Sequence, residues 1–335
     1  MIRTPALPGA LVLSLDFELH WGLFEKHSTA TVGRRILGAR LAIPRILRLF
    51  RENDIAGTWA TVGFLFARTA AERKRFEPSV RPKYPDPRMD PYRVSVGADE
   101  RSDPYHYAAS LIDRIRDARQ EIGTHTYSHF YCREEWQDAS AFEADIMSAI
   151  GIARQFNVTF RSIVFPSNQH NPAYDHILLK HGIQCFRGNR ATWLLPESDA
   201  ARQDTWSRRA GRLANSYINI DGEGLVDWHE VVRPSGLCDV AASAFLRPYN
   251  PKLRVLEAAR RRRIIRSMRA AARERKIFHL WWHPHNFGCH IDENVAFLTA
   301  LIAEYKRLES LYGMRSLSMA AVSEWARASG SASAA

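Results

Sequence analysis

Residues 10–17, ALVLSLDF, predict a buried strand with acidic side chains at its end, and this stretch decides the fold. The run is almost wholly apolar, and Asp16 and Glu18 stand where it stops. Because the apolar run ends at Asp16, it is too short for a membrane span or a signal-peptide core. We therefore expect a central strand of a parallel sheet, with polar chemistry at its carboxyl end.

Other short apolar runs predict the remaining strands of this sheet. They lie at 56–64, 120–129 (a strand and its exit loop), 162–166, 183–186, 277–282 and 315–317, with weaker candidates around 215–220 and 225–232. Between them lie signals for helices. Helix starts are indicated at Pro44, Asp103–Pro104, Asn171–Pro172 and Asp292. Apolar residues at helical spacing from Phe142 to Ala153, and an arginine-rich stretch, indicate two more helices. Because strands and helices alternate, we predict an α/β protein built as a barrel of parallel strands.

The 335 residues predict one domain, because no linker divides the alternating pattern. We assign residues 1–9 to an N-terminal extension, 10–328 to the barrel, and 329–335 (SGSASAA) to a disordered tail. The surplus length falls in a proline-rich loop at 68–103 and in a segment at 187–235.

Composition excludes several classes of protein. Apolar residues make up 46% of the chain and charged residues 25%, which is typical of a folded globular protein. The four cysteines are scattered and form no C-x-x-C pair, which argues against a disulfide scaffold and a cysteine zinc site. The sequence has no apolar run of about eighteen residues, so no membrane span is predicted. The first residues also lack signal-peptide features, so we expect a cytoplasmic protein.

The chain carries a net charge of +11, much of it within residues 254–276. Apolar residues recur there near helical spacing, at Leu256, Ile264, Met268 and Ala272. The arginines are therefore predicted to form the solvent-exposed face of an amphipathic helix. The alternative is contact with an anionic partner, such as a membrane surface or a phosphate-bearing substrate. No nucleic-acid-binding motif accompanies the charge, so nucleic acid is not expected.

Four polar groups follow predicted strands, at the end of the barrel where active sites of such folds lie. They are residues 16–18 (DFE), 125–129 (HTYSH), 166–171 (PSNQHN) and 283–286 (HPHN). His125 and His129 are four residues apart, which places both on one side of a helical turn. Imidazole is a common ligand of zinc and similar ions, and one carboxylate from residues 16–18 would complete a site open to water and substrate.

In this order the motifs resemble those of the polysaccharide deacetylase family, the NodB-homology domain of carbohydrate esterase family 4. Residues 125–129 match its His-Ser/Thr-x-x-His motif, and Leu280 with His283 match its Leu-x-x-His motif. The resemblance covers roughly residues 10–325, and DFE, FPSNQ and HPHNFG look like a subgroup resembling deacetylases of surface-polysaccharide pathways. It implies a distorted (β/α)7-type barrel, a divalent metal ion and removal of acetyl groups from sugars.

The first family motif, Thr-Phe-Asp-Asp-Gly, is altered in this chain. Its catalytic base falls on Asp16, whereas its metal-binding aspartate falls on Phe17, which cannot bind an ion. Glu18 shares a strand face with Asp16 because the two are separated by one residue. We therefore assign the metal to Glu18, His125 and His129.

The third family motif carries an arginine where this chain has Phe165. The candidates for the missing polar contacts and for other substrate contacts are Asn168, Gln169, Arg187, Tyr131 and Trp282. Tyr131 is included for a nearby backbone N–H that would bind the oxyanion. Trp282 is included as a sugar-stacking ring, with packing in the core as its alternative.

These assignments predict metal-assisted hydrolysis of an acetylated sugar or glycan precursor. Asp16 takes the proton of the attacking water, and His283 protonates the leaving amine or hydroxyl. Zinc is the default ion for histidine and carboxylate ligands, although other divalent ions fit. A precursor met on the cytoplasmic side would be nucleotide- or lipid-linked, hence anionic.

Alternatives remain for the residues and for the function. The structural alternatives are an Asp16 that caps a turn, a Glu18 paired with an arginine, a hydrogen-bonded pair of His125 and His129, and a His283 held by Asn286. The functional alternatives are hydrolysis of a non-sugar amide or cyclic imide, binding of a glycan without catalysis, and an interaction protein that uses its arginine-rich helix.

Overall fold

The computed structural model describes residues 7–189, 211, 213–217 and 222–333, and these residues form one curved sheet of nine strands. The strands are β1 Ala10–Phe17, β2 Gly57–Thr61, β3 Glu121–Thr124, β4 Ser162–Ile163, β5 Cys185–Phe186, β6 Cys238–Asp239, β7 Ala244–Phe245, β8 Ile277–Trp282 and β9 Arg315–Leu317. Their order is β6-β5-β4-β3-β2-β1-β8-β7, with β9 beside the start of β1. All of these pairings are parallel.

One segment, residues 238–245, closes the sheet into a barrel. Its first part, β6, pairs with β5, and its second part, β7, pairs with β8. Between the two, Ala242 N donates to Gly188 O at 2.9 Å and Ser243 N donates to His279 O at 2.8 Å. This segment, together with β1 to β5 and β8, makes the ring, so the predicted distorted (β/α)7-type barrel is confirmed.

β1 shows how the acidic residues reach the inside of the barrel. Successive side chains of a strand point to opposite faces, and Leu13, Leu15 and Phe17 pack in the layer between sheet and helices. Ser14 and Asp16 are buried on the other face, inside the barrel. The carboxyl end of β1 is therefore the polar end of the barrel.

The opposite end of the barrel is apolar. A small core fills it, with Val12 from β1, Val164 after β4 and Ile277 from β8 among its members. Met319 and Val322, from the last helix, pack against the same core. Among the described residues, apolar packing therefore fills the barrel at the end opposite Asp16.

Helices surround the sheet. They are α1 Thr29–Glu52, α2 Ala70–Arg75, α3 Ala109–Asp117, α4 Ala139–Arg154, α5 Asp175–Lys180, α6 Glu257–Glu274, α7 Ile291–Tyr312 and α8 Met319–Ser333. Within the described part of the chain, no helix combines the length and apolar character needed to cross a bilayer. The helices α1, α4 and α7 contribute much of the apolar layer that covers the sheet.

The first helix begins earlier than the sequence predicts. α1 starts at Thr29, and Pro44 lies inside it rather than at its first position. A proline inside a helix costs about 3 kcal/mol, because its nitrogen cannot donate to the carbonyl four residues earlier. Burial of one continuous face, including Ile36, Ile43 and Phe50, offsets that cost.

The prediction that Asp103 begins a helix is also wrong. Its carboxylate accepts a hydrogen bond from Gly97 N at 2.8 Å and contacts Nδ1 of His106 at 2.8 Å. These bonds hold Asp103 in a turn, and α3 begins only at Ala109.

Two other expectations fail in the less regular parts of the chain. Tyr217 lies in a turn, and residues 218–221 are outside the described part, so the strand expected at 215–220 is not found in the described residues. The strand expected at 225–232 is replaced by a short 3-10 turn, Trp228–Glu230, with isolated β-bridges at Val226 and Val232. At the C-terminus, α8 extends to Ser333, and the domain end at 328 stays a prediction.

The arginine-rich stretch forms the predicted amphipathic helix, α6. Arg260 departs from the pattern, because it is buried, pairs with Glu257 at 2.5 Å and lies 3.9 Å from the ring centre of Phe297. Arg266 and Arg269 form surface ion pairs with neighbouring acids. Several of these arginines therefore serve the fold itself.

Candidate functional site

Glu18 follows β1 and lies at the polar end of the barrel. The chain bends there into a short 3-10 turn, Leu19–Gly22, in which Leu19 has a φ of 48°. Gly22 allows close packing, because a Cβ at this position would lie 2.0 Å from the carboxyl carbon of Glu18. The turn therefore confines the buried Glu18 carboxylate to one position.

His125 and His129 lie in the loop that follows β3. The backbone N of His125 donates to Thr61 O at 2.9 Å, which continues the pairing of β2 with β3. Thr126 and His129 adopt left-handed backbone angles, with φ of 62° and 60°. This tight loop turns both imidazoles towards the Glu18 carboxylate.

The structure thus brings Glu18, His125 and His129 together. Oε2 of Glu18 lies 3.3 Å from Nε2 of each histidine. One ligand atom from each residue lies within 4.8 Å of the other two, and all three side chains are buried. The three residues that the sequence analysis assigns to a metal therefore form one cluster.

Hydrogen bonding tests whether this cluster suits a metal ion. Nδ1 of His125 donates to Val164 O at 2.8 Å, so Nε2 is the ring nitrogen that faces Glu18. In the neutral imidazole this nitrogen presents a lone pair, and a cation held between it and the carboxylate would satisfy both groups. Two imidazoles and one carboxylate are also a ligand set that zinc and related ions prefer. The residues therefore fit a divalent ion.

The charge state of Glu18 agrees with such a site. Burial alone would raise the pKa of its carboxyl, but the imidazoles of His283, His125 and His129 lower it well below its usual range. The Glu18 carboxylate is therefore ionised at neutral pH.

Asp16 lies beside this cluster and is paired with Arg187. Nη1 of Arg187 lies 2.6 Å from Oδ1 of Asp16, and Nη2 lies 2.7 Å from Oδ2. Burial would raise the pKa of Asp16, but the Arg187 guanidinium outweighs burial and lowers it. Asp16 therefore stays ionised although it is buried.

Arg187 is itself fixed from several sides. It donates to Ser14 Oγ at 3.1 Å and to Asn168 Oδ1 at 3.0 Å, and its guanidinium lies 4.0 Å from the ring centre of Trp281. Behind Ser14 stands His279, whose Nε2 contacts Ser14 Oγ at 2.8 Å. Burial lowers the pKa of His279 to about 3, so this imidazole is neutral. Arg187 and Asn168, both predicted candidates, thus reach the polar end of the barrel.

His283 follows β8 and completes the group. Its Nε2 lies 3.5 Å from Oε1 of Glu18 and 3.8 Å from Oδ2 of Asp16, while a quarter of its side chain remains exposed. The contact of its Nδ1 with Asn286 is long, at 3.5 Å. His283 is therefore the member of the group that solvent reaches most easily.

Tyr131 and Gln169 occupy the rim of the site. The hydroxyl of Tyr131 donates to Glu25, and its ring lies edge-on to His129, with centroids 5.2 Å apart. Gln169 uses its amide within the protein, accepting from Arg133 N at 3.1 Å. Gln169 therefore supports a neighbouring loop, whereas Tyr131 contacts the histidine cluster directly.

The prediction that Trp282 forms a sugar-stacking rim is wrong. Trp282 is fully buried and stacks on Phe287, with ring centroids 5.7 Å apart. Alternation along β8 points Trp282 towards the helices and Trp281 towards the barrel interior. Trp281 is the partly exposed tryptophan beside His283, with centroids 5.5 Å apart.

Asp145 of α4, which no sequence motif indicates, shapes the histidine loop. Its carboxylate accepts from Tyr127 N at 2.6 Å, from Ser128 N at 3.2 Å and from Ser128 Oγ at 2.5 Å. Burial raises the pKa of Asp145 to about 6. An acid placed sixteen residues beyond the loop carries no local sequence signal, although a buried acid on an apolar helix face is unusual.

Replacing Asp145 with Ala is expected to weaken divalent-ion binding about 10- to 100-fold, the usual effect of losing a group that orients a metal-binding residue. The measurement is equilibrium titration of the dialysed protein with Zn²⁺. Asp138→Ala is the matched control, because Asp138 caps the same helix by accepting from Ala141 N at 2.8 Å. An equal loss of affinity in both variants would assign the effect to the helix rather than to the loop.

Comparisons with known proteins support this fold. No protein-family model matches the sequence, and no curated protein matches it. Among solved structures, the chain is similar to a candidate polysaccharide deacetylase from Mycobacterium smegmatis, with 14% identity and a TM-score of 0.61 over 98% of this chain and 94% of that one. A candidate polysaccharide deacetylase from Pseudomonas aeruginosa gives 11% identity and a TM-score of 0.52, over 97% and 95% of the two chains.

A third similar structure is PuuE allantoinase, with 12% identity and a TM-score of 0.53 over 96% of this chain and 93% of that one. At such low identities the likeness concerns the fold. The chain therefore has the barrel fold of polysaccharide deacetylases, as its motifs predict, and an allantoinase shares this fold.

Proposed function

We propose that this protein is a metal-dependent hydrolase that removes an acetyl group from an acetylated sugar or glycan precursor. One observation carries the proposal: the buried cluster of Glu18, His125 and His129 lies beside an ionised Asp16 and a partly exposed His283. The likeness to the fold of polysaccharide deacetylases supports the proposal, because this group follows the carboxyl ends of the barrel strands. Active sites of α/β barrels lie at this end.

Glu18, His125 and His129 would hold a divalent ion, with zinc as the default. Once bound, such an ion lowers the pKa of a coordinated water and polarises a carbonyl oxygen. The hydrogen bond from His125 to Val164 O fixes the protonated nitrogen and leaves Nε2 as the ligand atom. The buried surroundings exclude competing water from this side.

Asp16 acts as the general base and His283 as the general acid. A carboxylate oxygen of Asp16 accepts a proton from the attacking water while the water oxygen bonds to the acetyl carbonyl carbon. Nε2 of His283 then donates a proton to the leaving nitrogen or oxygen as its bond to that carbon breaks. Arg187 holds Asp16 ionised and oriented for this step. A backbone N–H near Tyr131 would stabilise the oxyanion.

A second candidate is hydrolysis of a non-sugar amide or cyclic imide by the same residues. The structural likeness to an allantoinase favours it, because its TM-score of 0.53 matches the 0.52 of the Pseudomonas structure. Both candidates use the same metal, base and acid. They differ only in the substrate that binds at the polar end of the barrel.

The test is release of acetate from a panel of N- and O-acetylated sugars, beside turnover of allantoin and hydantoin, by the Zn²⁺-loaded protein. Acetate release that is lost in Asp16→Asn supports the deacetylase. Turnover of a cyclic substrate without acetate release would replace the first candidate with the second. Tight binding of a sugar without any product would identify a protein that binds glycans and has lost catalysis.

An anionic carrier on the substrate would suit the outer edge of α6. Val255 is 81% exposed, and Leu256 beside it is also exposed. Within the described part of the chain, the neighbouring Lys252, Arg254 and Arg261 have no ion-pair partner. Exposed apolar and cationic side chains together favour an anionic membrane surface. We extend the proposal to a lipid-linked precursor on the cytoplasmic side, with a nucleotide-linked precursor as the alternative.

Sedimentation with vesicles is the check on this extension. We expect the protein to bind vesicles that contain anionic lipid, with binding that weakens as salt rises because the contact is between charges. Arg254→Gln with Arg261→Gln should reduce binding about 30-fold, at about 1 kcal/mol per charge. The control is Arg269→Gln, which removes a paired arginine of the same helix. Vesicle binding that changes with neither the salt concentration nor these substitutions would contradict the proposed contact with anionic lipid.

A further inference from the structure

Two hydrogen-bond donors beside the candidate active site have no partner within the described part of the chain. His285, in the loop that follows β8, is 3% exposed, and its Nδ1 is buried without a hydrogen bond. Arg35, in α1, is partly buried, and its Nε is also buried without a hydrogen bond. Among the described residues, Arg35 forms no ion pair. Buried polar groups without partners are costly, so two of them near one site indicate a ligand that satisfies them.

Close packing of α1 on the loop after β8 explains where Arg35 lies. A Cβ at Gly38 would lie 1.9 Å from Gly288 O, and a Cβ at Gly288 would lie 1.9 Å from Arg35 O. Arg35 and Gly38 are three residues apart on α1 and therefore share one side of the helix. Burial lowers the pKa of Arg35, whereas Cys289 and Glu18 oppose that shift electrostatically. Arg35 therefore lies on the side of α1 that faces the loop, within electrostatic reach of Glu18.

His285 connects Arg35 to the catalytic group. Its ring stacks on that of His283, with centroids 5.0 Å apart and an angle of 28° between the planes. Nε2 of His283 in turn lies 3.5 Å from Oε1 of Glu18. Burial, with smaller effects of His283 and Arg35, lowers the pKa of His285 to about 3, so this imidazole is neutral. A neutral imidazole offers one N–H donor, so a donor and a guanidinium lie together next to His283.

The balance of charge at the site favours a negatively charged ligand. Asp16 and Arg187 form an ion pair and cancel each other. A divalent ion held by Glu18 and two neutral histidines would leave one positive charge, and Arg35 adds a second. Uncompensated positive charge in a partly buried site attracts an anion. The hydrolytic step described above uses neither Arg35 nor His285.

We propose that Arg35 and His285 bind an oxyanion group of the substrate, a phosphate ester or a carboxylate, and so select a charged acetylated sugar over a neutral one. This inference rests on the proposed deacetylase function, because it places the oxyanion beside His283, the proposed acid. A guanidinium binds two oxygens of a carboxylate or phosphate through parallel N–H donors. The N–H of the neutral imidazole supplies a further donor. A neutral hydroxyl would leave the charge of Arg35 uncompensated.

The experiment compares three N-acetylated sugars as substrates of the Zn²⁺-loaded protein. They are the neutral N-acetylglucosamine, its 1-phosphate, and N-acetylmuramic acid, which carries a carboxylate. We expect kcat/KM to be about 10- to 100-fold higher for a charged sugar than for the neutral one, the range for a hydrogen bond to a charged group. The two charged sugars distinguish a phosphate ester from a carboxylate as the source of the oxyanion.

Substitutions at both residues test the assignment through the ratio of kcat/KM between the charged and the neutral sugar. Arg35→Gln should bring this ratio close to one. His285→Phe keeps a ring stacked on His283 but removes the N–H donor, and should lower the ratio about 3- to 10-fold. Arg34→Gln is the matched control, because it removes the exposed neighbouring arginine of the same helix and should leave the ratio unchanged.

A ratio near one in the wild-type protein, or a ratio that Arg35→Gln does not change, would overturn the inference. Calorimetric titration with the same sugars separates it from the proposed function. If no acetate is released, the proposed function fails for these sugars, but binding of a charged sugar that Arg35→Gln weakens about 10- to 100-fold would still support the oxyanion site. Equal binding by the wild-type protein and Arg35→Gln would assign the oxyanion to the metal ion instead. Binding of neither charged sugar would also contradict the inference.

Discussion

Glu18→Gln is expected to abolish stoichiometric binding of a divalent ion and to lower acetate release by at least about a thousandfold, which corresponds to about 4 kcal/mol of transition-state stabilisation. The amide keeps the size of the side chain but removes the charge that faces Nε2 of His125 and His129 at 3.3 Å. Metal content after dialysis, measured by mass spectrometry, and initial rates of acetate release are the two readouts.

The control comes from a second group of potential ligands, Asp227, His229 and Glu230, which lies at the surface. Glu230→Gln should leave both the metal content and the rate unchanged, because exposed acidic groups of this kind seldom hold an ion tightly. A tightly bound ion that survives in Glu18→Gln and disappears in Glu230→Gln would contradict the site. The thermal stability of both variants should be recorded with excess Zn²⁺, which separates loss of the ion from loss of the fold.

Arg187→Met is expected to cost about 3–5 kcal/mol of folding free energy, the usual result of removing one partner from a buried ion pair. Arg187 is 1% exposed, and its guanidinium donates to both oxygens of Asp16. Without it, burial leaves an uncompensated carboxylate beside the candidate metal site. Urea unfolding of the dialysed protein measures the free energy of unfolding.

The same substitution should shift the pH dependence of the reaction. In the native protein Arg187 lowers the pKa of Asp16 against the effect of burial. Once Arg187 is gone, burial dominates and raises the pKa of Asp16, so the base becomes protonated at higher pH. The acidic limb of the kcat/KM profile should therefore move to higher pH, because the reaction needs the ionised form.

Two further variants make the Arg187 prediction specific. Arg45→Met breaks the exposed pair with Asp292 and should change stability by less than about 1 kcal/mol. Combining Arg187→Met with Asp16→Asn removes both charges and should recover part of the lost stability. A double variant as unstable as Arg187→Met alone would mean that the side chain matters for packing rather than for charge.

Much of the site could be predicted from the sequence, because it depends on short-range patterns. Residues 125–129 form one short motif, although its histidines lie in a tight loop with left-handed residues and the expected helical turn is wrong. Glu18 is separated from Asp16 by one residue. Parallel strands bring their carboxyl ends to one edge of the sheet, so groups far apart in the chain meet there. The structure accordingly brings Glu18, both histidines and His283 together.

Other features depend on packing between distant segments and could not be predicted. The ion pair of Asp16 with Arg187 connects β1 to the residue that follows β5, and no local sequence motif predicts it. Local preference favours Pro44 at a helix start, whereas burial of the α1 face outweighs that preference. The position of Trp282 follows from strand alternation, because counting back from His283 puts Trp281, and not Trp282, on the side of the site.

The position of β1 has a consequence for how the protein is made. Its neighbours β8 and β9 follow β1 at a long distance in the sequence. During translation one edge of this apolar strand must stay unpaired until β8 has left the ribosome. Such long-range pairing slows folding and exposes a strand that can aggregate. Asp16 and Glu18 therefore meet His283 only after β8 has been synthesised, and a nascent chain without β8 lacks an assembled candidate site.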